Sequence, residues 1–193
     1  MKTTTLTAAL CLLYFISYSQ INFEPGIIIQ NNGERIQCEI RNGDWKYNPD
    51  KIVYRTSASE NPKEVSPSDI AGFTVGKEKL YYRSAVTGID RSSELLDKLG
   101  TRMTADLKTE TLFLKVLVEG QANLFYYRAR EMERFFFQLG DGEVKQLVYK
   151  KYRTEYREMR ENEQYQQQLK NELNCRGTQD TERIEYTRKS LEK

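Results

Sequence analysis

Between Thr111 and Glu119 the chain places Leu112, Leu114, Val116 and Val118 on one side of a two-residue period and Phe113, Lys115 and Leu117 on the other, and Glu119-Gly120 closes the run. Strict alternation over that length describes a β-strand. The same device recurs at once: Ala122 to Tyr127, then Glu133 to Leu139 with Phe135-Phe136-Phe137, then the turn Gly140-Asp141-Gly142. Turns this short join neighbouring antiparallel strands, so the segment predicts a meander. Beyond it Val144, Leu147, Val148, Tyr152, Tyr156 and Met159 fit a helical stripe, while Gln146 to Lys150 also suits a fourth strand. A strand through about Lys150 is favoured, because the Gly-Asp-Gly turn presents it directly to its neighbour.

The N-terminal part adds a hairpin. Gly26-Ile27-Ile28-Ile29-Gln30 is β-rich, Asn31-Asn32-Gly33 supplies a tight turn, and Glu34 to Ile40 alternates with Ile36, Cys38 and Ile40 inward. A loop of turn formers, Asn42 to Asp50, surrounds Trp45, the single tryptophan of the chain. Ile52 to Thr56 reads as a third strand, residues 57–69 as a polar connection with one helical turn near Ser66, and Phe73 to Val75 and Leu80 to Val86 as strands about Gly76-Lys77. Ser92 to Leu99, with a serine cap and leucines at helical spacing, predicts a short helix ended by Gly100. From about Tyr156 to Asn174 the Glu/Gln/Arg-rich composition predicts a second helix with Tyr165, Leu169 and Leu173 on one stripe. The expected fold is mainly β with α (α+β): an antiparallel meander, an N-terminal hairpin layer, and a C-terminal helix packed on the sheet.

Three segments are expected along the chain. Residues 1–19 carry Lys2, an apolar run from Leu6 to Ile16, and Ser17 and Ser19 before Gln20. That stretch is too short to span a bilayer and has the small residues of a signal-peptide cleavage site, so export to the periplasm or the outer membrane and cell surface is expected. Residues 20–175 form one β-rich domain with its helix, and residues 176–193 form a linker and the start of a further helix that stops without a cap, as though a longer chain followed. Of the three cysteines, Cys11 falls in the leader, which leaves Cys38 and Cys175 as a candidate disulfide in an oxidising compartment or as two separate buried thiols. No second hydrophobic segment is long enough to cross a membrane as a helix.

Composition narrows the chemistry. A formal charge of +2, spread over 30% charged residues of both signs, offers no field for nucleic acid. The chain has no histidine, so zinc-hydrolase and Ser-His-Asp chemistry are not expected. Gly72-Phe73-Thr74-Val75-Gly76-Lys77-Glu78 is one residue short of a phosphate-binding loop and carries Glu78 where a hydroxyl belongs, so no nucleotide and no cofactor are expected. Asp90, Glu94 and Asp97 read as a solvated helix face beside Arg91 and Lys98, and Asp141 and Glu143 as part of a turn. No catalytic or metal-ligating residues emerge.

Aromatic residues are the livelier feature. In a strand, adjacent rings point to opposite faces, so one member of Tyr81-Tyr82, of Tyr126-Tyr127 and of the phenylalanine run lies away from the main core. Either the helix covers them or they form a contact surface, for which Trp45, Tyr47, Tyr82 and Tyr127 are the candidates. The function expected is a non-catalytic cell-envelope module that binds a partner protein or glycan through such residues. The alternatives are an envelope enzyme using carboxylates or a redox cysteine, and a carrier of small apolar ligands. Oligomeric state stays open.

Phe23-Glu24-Pro25-Gly26, Asn32-Gly33-Glu34, Asp44 to Pro49, Thr111 to Gly120, Leu147 to Tyr152 and Gln168-Leu169 together resemble an uncharacterised family of exported proteins from Bacteroidota, mainly flavobacteria. The resemblance covers nearly the whole chain after the leader. It implies a periplasmic or surface module, because longer relatives continue into an outer-membrane β-barrel. Some relatives carry an automatic label of tRNA modification GTPase, which the defective glycine loop and the export signal argue against here.

Overall fold

A computed structural model describes residues 22–43, 45–77, 79–173 and 184–193. Residues 1–19, read above as a leader, and Cys175 lie outside these residues. Ten strands form one antiparallel sheet: β1 (Phe23–Gln30), β2 (Arg35–Arg41), β3 (Ile52–Arg55), β4 (Lys63–Val65), β5 (Ile70–Val75), β6 (Leu80–Asp90), β7 (Leu107–Val118), β8 (Ala122–Ala129), β9 (Met132–Leu139) and β10 (Lys145–Leu147). Their order is β10-β9-β8-β7-β6-β5-β1-β2-β3-β4. A separate hairpin, β11 (Lys150–Arg153) with β12 (Met159–Asn162), precedes α1 (Gln164–Glu172), and a single turn of helix, α2 (Arg188–Leu191), lies near the C-terminus. The protein is mainly β.

The meander runs unbroken from β5 to β10, while the N-terminal hairpin departs from expectation: it is part of the same sheet. β1 lies between β2 and β5, with Gly26 opposite Val75 and Ile28 opposite Phe73. A Cβ at Gly26 would meet the Thr74 carbonyl oxygen at 2.6 Å and Ile40 Cδ1 at 2.7 Å, so only glycine allows this approach. Gly26→Ala is expected to cost about 1–3 kcal/mol through the strand shift it forces, read as a lower urea midpoint.

Three apolar clusters divide between the two faces of the sheet. Tyr82 and Phe113 join Ile28, Cys38, Ile40, Ile52, Phe73 and Val75 on one face. Their strand neighbours Ile89, Leu112 and Leu114 pack with Phe125, Tyr127, Met132 and Phe136 on the other. Leu124, Phe135, Phe137 and Leu147 return to the first face, where they meet Tyr165 and Leu169 of α1. Phe135, Phe136 and Phe137 are therefore all buried, the middle ring opposite to its neighbours. The sheet curls around the second cluster until β10 comes back against β6: Thr87 Oγ1 donates to the Val144 carbonyl at 2.7 Å and Asp90 N to Gln146 Oε1 at 2.8 Å.

Local sequence is overridden in three places. Ser92 to Leu99 is extended except for one 3-10 turn at Leu96–Lys98, because Glu94 N donates to the Glu131 carbonyl at 2.8 Å and the Ser92 carbonyl accepts from Arg134 Nη2 at 2.7 Å, contacts a helix would forgo. The helix expected from Tyr156 begins only at Gln164, since residues 159–162 pair with β11 across a turn in which Arg157 takes φ 62°. The polar connection 57–69 contains β4, paired with β3, and the turn near Ser66 is held by Asp69 Oδ2 accepting from Ser66 N at 2.7 Å.

Candidate functional site

A concavity of about 770 Å³ opens between the β9 side of the sheet, the β11–β12 hairpin, the start of α1 and residues 184–187. Its wall is a cluster of tyrosines. Tyr149 stacks on Tyr186 with centroids 4.7 Å apart, and Tyr165 meets Tyr186 nearly edge-on at 5.1 Å. Tyr186 is held by its hydroxyl, which accepts from Phe135 N at 3.0 Å and donates to the Leu147 carbonyl at 2.9 Å, where the β9–β10 ladder ends. The Tyr165 hydroxyl donates to the Ile184 carbonyl at 2.8 Å, so the C-terminal segment is laced to α1.

Around the rings stand Glu94, Glu133, Glu161, Glu163 and Glu185, with Lys151 as the one lining cation among the described residues. Glu94 pairs with the buried Arg134, Glu133 lies 3.2 Å from Arg128, and Glu161 lies 4.0 Å from Lys151. Glu163 and Glu185 are exposed and pair with no cation among the described residues. Burial, and then the Glu161 carboxylate beside it, push the Tyr149 hydroxyl well above its ordinary range, so it stays protonated. Lys151 Nζ already sits 5.9 Å from the centre of the Tyr149 ring, an internal instance of a cation held by ring and carboxylate.

The four aromatic contacts expected from sequence do not form one surface. Tyr82 and Tyr127 are core residues, 1% and 3% exposed. Tyr82 stacks on Phe73 at 4.8 Å, and the Tyr127 hydroxyl accepts from Arg91 Nη1 at 2.8 Å. Neither can meet a partner without unfolding its strand. Trp45, at φ 42°, packs on Phe73 and Tyr82 with centroids at 5.8 and 5.9 Å. It also lines a groove of about 490 Å³ with Phe23, Pro25, Val75 and Leu80. Only Tyr47 is exposed, flanked by Lys46 and Arg128 at 5.4 and 6.0 Å from its ring. Cys38 is a buried free thiol, and burial pushes it up to about 11, which makes it a poor nucleophile.

Asp90, read as part of a solvated face, is instead the centre of a buried polar network. Its Oδ2 lies 3.2 Å from Lys150 Nζ, both residues being almost fully buried. Arg134 Nε donates to the Asp90 carbonyl at 3.0 Å, and Lys150 Nζ to the Thr104 carbonyl at 3.0 Å. One signal in the sequence pointed here: Arg134 occupies a core-facing position between Met132 and Phe136, and a guanidinium in that register must bring partners with it. The network ties the long excursion 91–106 across one end of the curled sheet.

The chain is thus a curled, mainly-β protein with a tyrosine-walled, carboxylate-lined cleft on one face. No protein-family model, no curated protein and no solved structure matches the chain.

Proposed function

We propose that the chain is a non-catalytic, exported cell-envelope module, related to the Bacteroidota family it resembles, that binds a partner protein through the tyrosine-walled cleft. The observation that carries this reading is the pairing of the half-buried rings of Tyr149 and Tyr186, backed by the buried ring of Tyr165, with the exposed carboxylates of Glu163 and Glu185. Ring faces and carboxylates together complement lysine and arginine side chains. A glycan would also stack on rings, but it leaves the negative charge uncompensated, so a basic protein segment is the better complement. Export is supported by the leader at residues 1–19. No helix among the described residues is long and apolar enough to cross a membrane, which leaves strand-based anchoring untouched.

The test sets arrayed lysine- and arginine-rich peptides beside neutral glycans. Basic peptides are expected to bind, with affinity falling as salt rises. Glu163→Gln with Glu185→Gln should weaken binding by about tenfold while the melting temperature stays put, since both side chains are exposed. Retention of glycans alone, or of nothing, defeats the reading.

A further inference from the structure

We propose that the free edge of β7, Leu107 to Thr111, pairs antiparallel with the same edge of a second copy of the chain, centred on Thr109. This is independent of the cleft.

β7 is paired with β6 along its length, from Lys115 opposite Tyr82 to Leu107 opposite Asp90. On its other side it meets β8 only from Lys115 to Val118. The two strands part at Asn48, whose Nδ2 donates to the Phe113 and Tyr126 carbonyls at 2.8 and 2.9 Å. Past that wedge no strand lies against β7 among the described residues, and Leu107, Lys108 and Thr109 are exposed. The direction of the peptide groups follows from the same contact. The Phe113 carbonyl points away from β6, and peptide groups alternate along an antiparallel strand, so those of Leu107, Thr109 and Thr111 point outward too. On β6 the partner of Leu107 agrees: Asp90 spends its N–H on Gln146 and its carbonyl on Arg134, neither on β7.

The sheet's terminal edges are blunted in ways this one is not. β10 is capped by Gln168, which accepts from Val148 N at 2.7 Å and donates to the Gln146 carbonyl at 3.0 Å, and β4 is three residues long. Edge β7 offers five residues with three outward peptide groups.

The occupant is chosen by charge. A lysine on an edge normally deters pairing, because few incoming strands place a carboxylate opposite it. In the two-fold register about Thr109, Lys108 faces Glu110 of the second copy, whose carboxylate also accepts from Arg91 Nε and Nη2 of its own chain at 3.1 and 2.6 Å, and Glu110 faces its Lys108, so both ends of the pairing set opposite charges across the strands. Thr109 then faces Thr109 and exchanges both backbone hydrogen bonds with it, and each Leu107 faces Thr111. Leu107 is 50% exposed in the single chain and Val86, opposite Thr111 on β6, is 65% exposed. Pairing lays the second copy's Leu107 beside Thr111 on the face that carries Val86. A one-residue shift of register sets Lys108 against threonine and discards both charge pairs. An interface of this size belongs to the weak, reversible class.

Sedimentation velocity over a dilution series tests the proposal. The wild type should move from dimer to monomer on dilution, and high salt should shift the transition to higher protein concentration. Lys108→Glu alone and Glu110→Lys alone should each be monomeric, while an equimolar mixture of the two should form a heterodimer, because each variant then meets the opposite charge at both positions. Thr109→Pro removes an outward N–H that the β6 ladder does not use, so it should be folded by circular dichroism and monomeric. A wild type that is monomeric at every concentration overturns the proposal, as does a dimer that Lys108→Glu and Thr109→Pro leave intact. A monomeric wild type whose edge captures an unrelated extended peptide overturns it in favour of a foreign strand.

Discussion

Asp90→Ala is expected to destabilise the protein by about 3–5 kcal/mol, because it strands the buried Lys150 ammonium without its carboxylate. The Thr104 carbonyl, 3.0 Å away, is the contact left to that ammonium. The backbone amides of Ser92 and Asp106, which donate to the two Asp90 oxygens at 2.8 and 3.2 Å, lose their acceptor as well. Asp90→Ala with Lys150→Met should recover most of the loss, since removing both charges leaves none buried and unpaired. Urea denaturation of the two variants beside the wild type measures the difference. The same network sets an acid limit. Burial on its own would raise the Asp90 pKa, but the hydrogen bond from Ser92 and the Lys150 ammonium outweigh it and hold the carboxyl below its ordinary value. A carboxyl depressed in the folded state contributes stability that is complete above its unfolded pKa of about 3.9 and disappears as pH falls through the folded value. Stability of the wild type should therefore drop on acidification below about pH 4, and the double variant should lose part of that dependence.

Asn48→Ala should cost about 2–4 kcal/mol. Besides its two donated bonds, Asn48 accepts from Arg128 N at 2.9 Å through Oδ1 and donates its own N–H to the Arg128 carbonyl at 3.0 Å. One side chain thus stands in for a stretch of β7–β8 ladder. Alanine leaves two carbonyls and an amide in a largely buried place with nothing to bond. Asn48→Asp should be at least as harmful at neutral pH, because it sets a carboxylate against the Phe113 and Tyr126 carbonyls. Hydrogen exchange should show the Arg128 amide losing protection in the alanine variant, which removes its acceptor.

The residues differ in how much of this they disclosed in advance. Ile28, Cys38 and Ile40 point inward, and Leu112 and Leu114 oppose Phe113, as the two-residue period requires. That period is a property of adjacent residues, and so are the short turns that join β5 to β6 and order β7 to β10, whereas the long excursion 91–106 joins β6 to β7. The Ser92 to Leu99 segment shows the limit. Its capped, leucine-spaced pattern is a sound local case for a helix, but it is worth a few tenths of a kcal/mol per residue, whereas the bonds Arg134 and Glu131 offer to Glu94 and Ser92 are made in or beside a buried site. Tyr165 was visible as a member of a stripe, yet nothing local indicated that Tyr149 would join it, or that Tyr186 would arrive from beyond residue 183 to stack between them and complete the cleft.

By itself, then, the order of residues determined a mainly-β protein, the faces of its strands as far as the bulge after Val116, beyond which Val118 packs on the face of Leu124 instead of that of Leu114, and the order of strands β7 to β10, because alternation and turn chemistry act over two to four positions. The joining of β1 to β5, the wedge of Asn48 between β7 and β8, the buried Asp90–Lys150 pair and the tyrosine cleft were decided only in three dimensions. Each depends on groups far apart along the chain, and their mutual distances are set by the curl of the whole sheet.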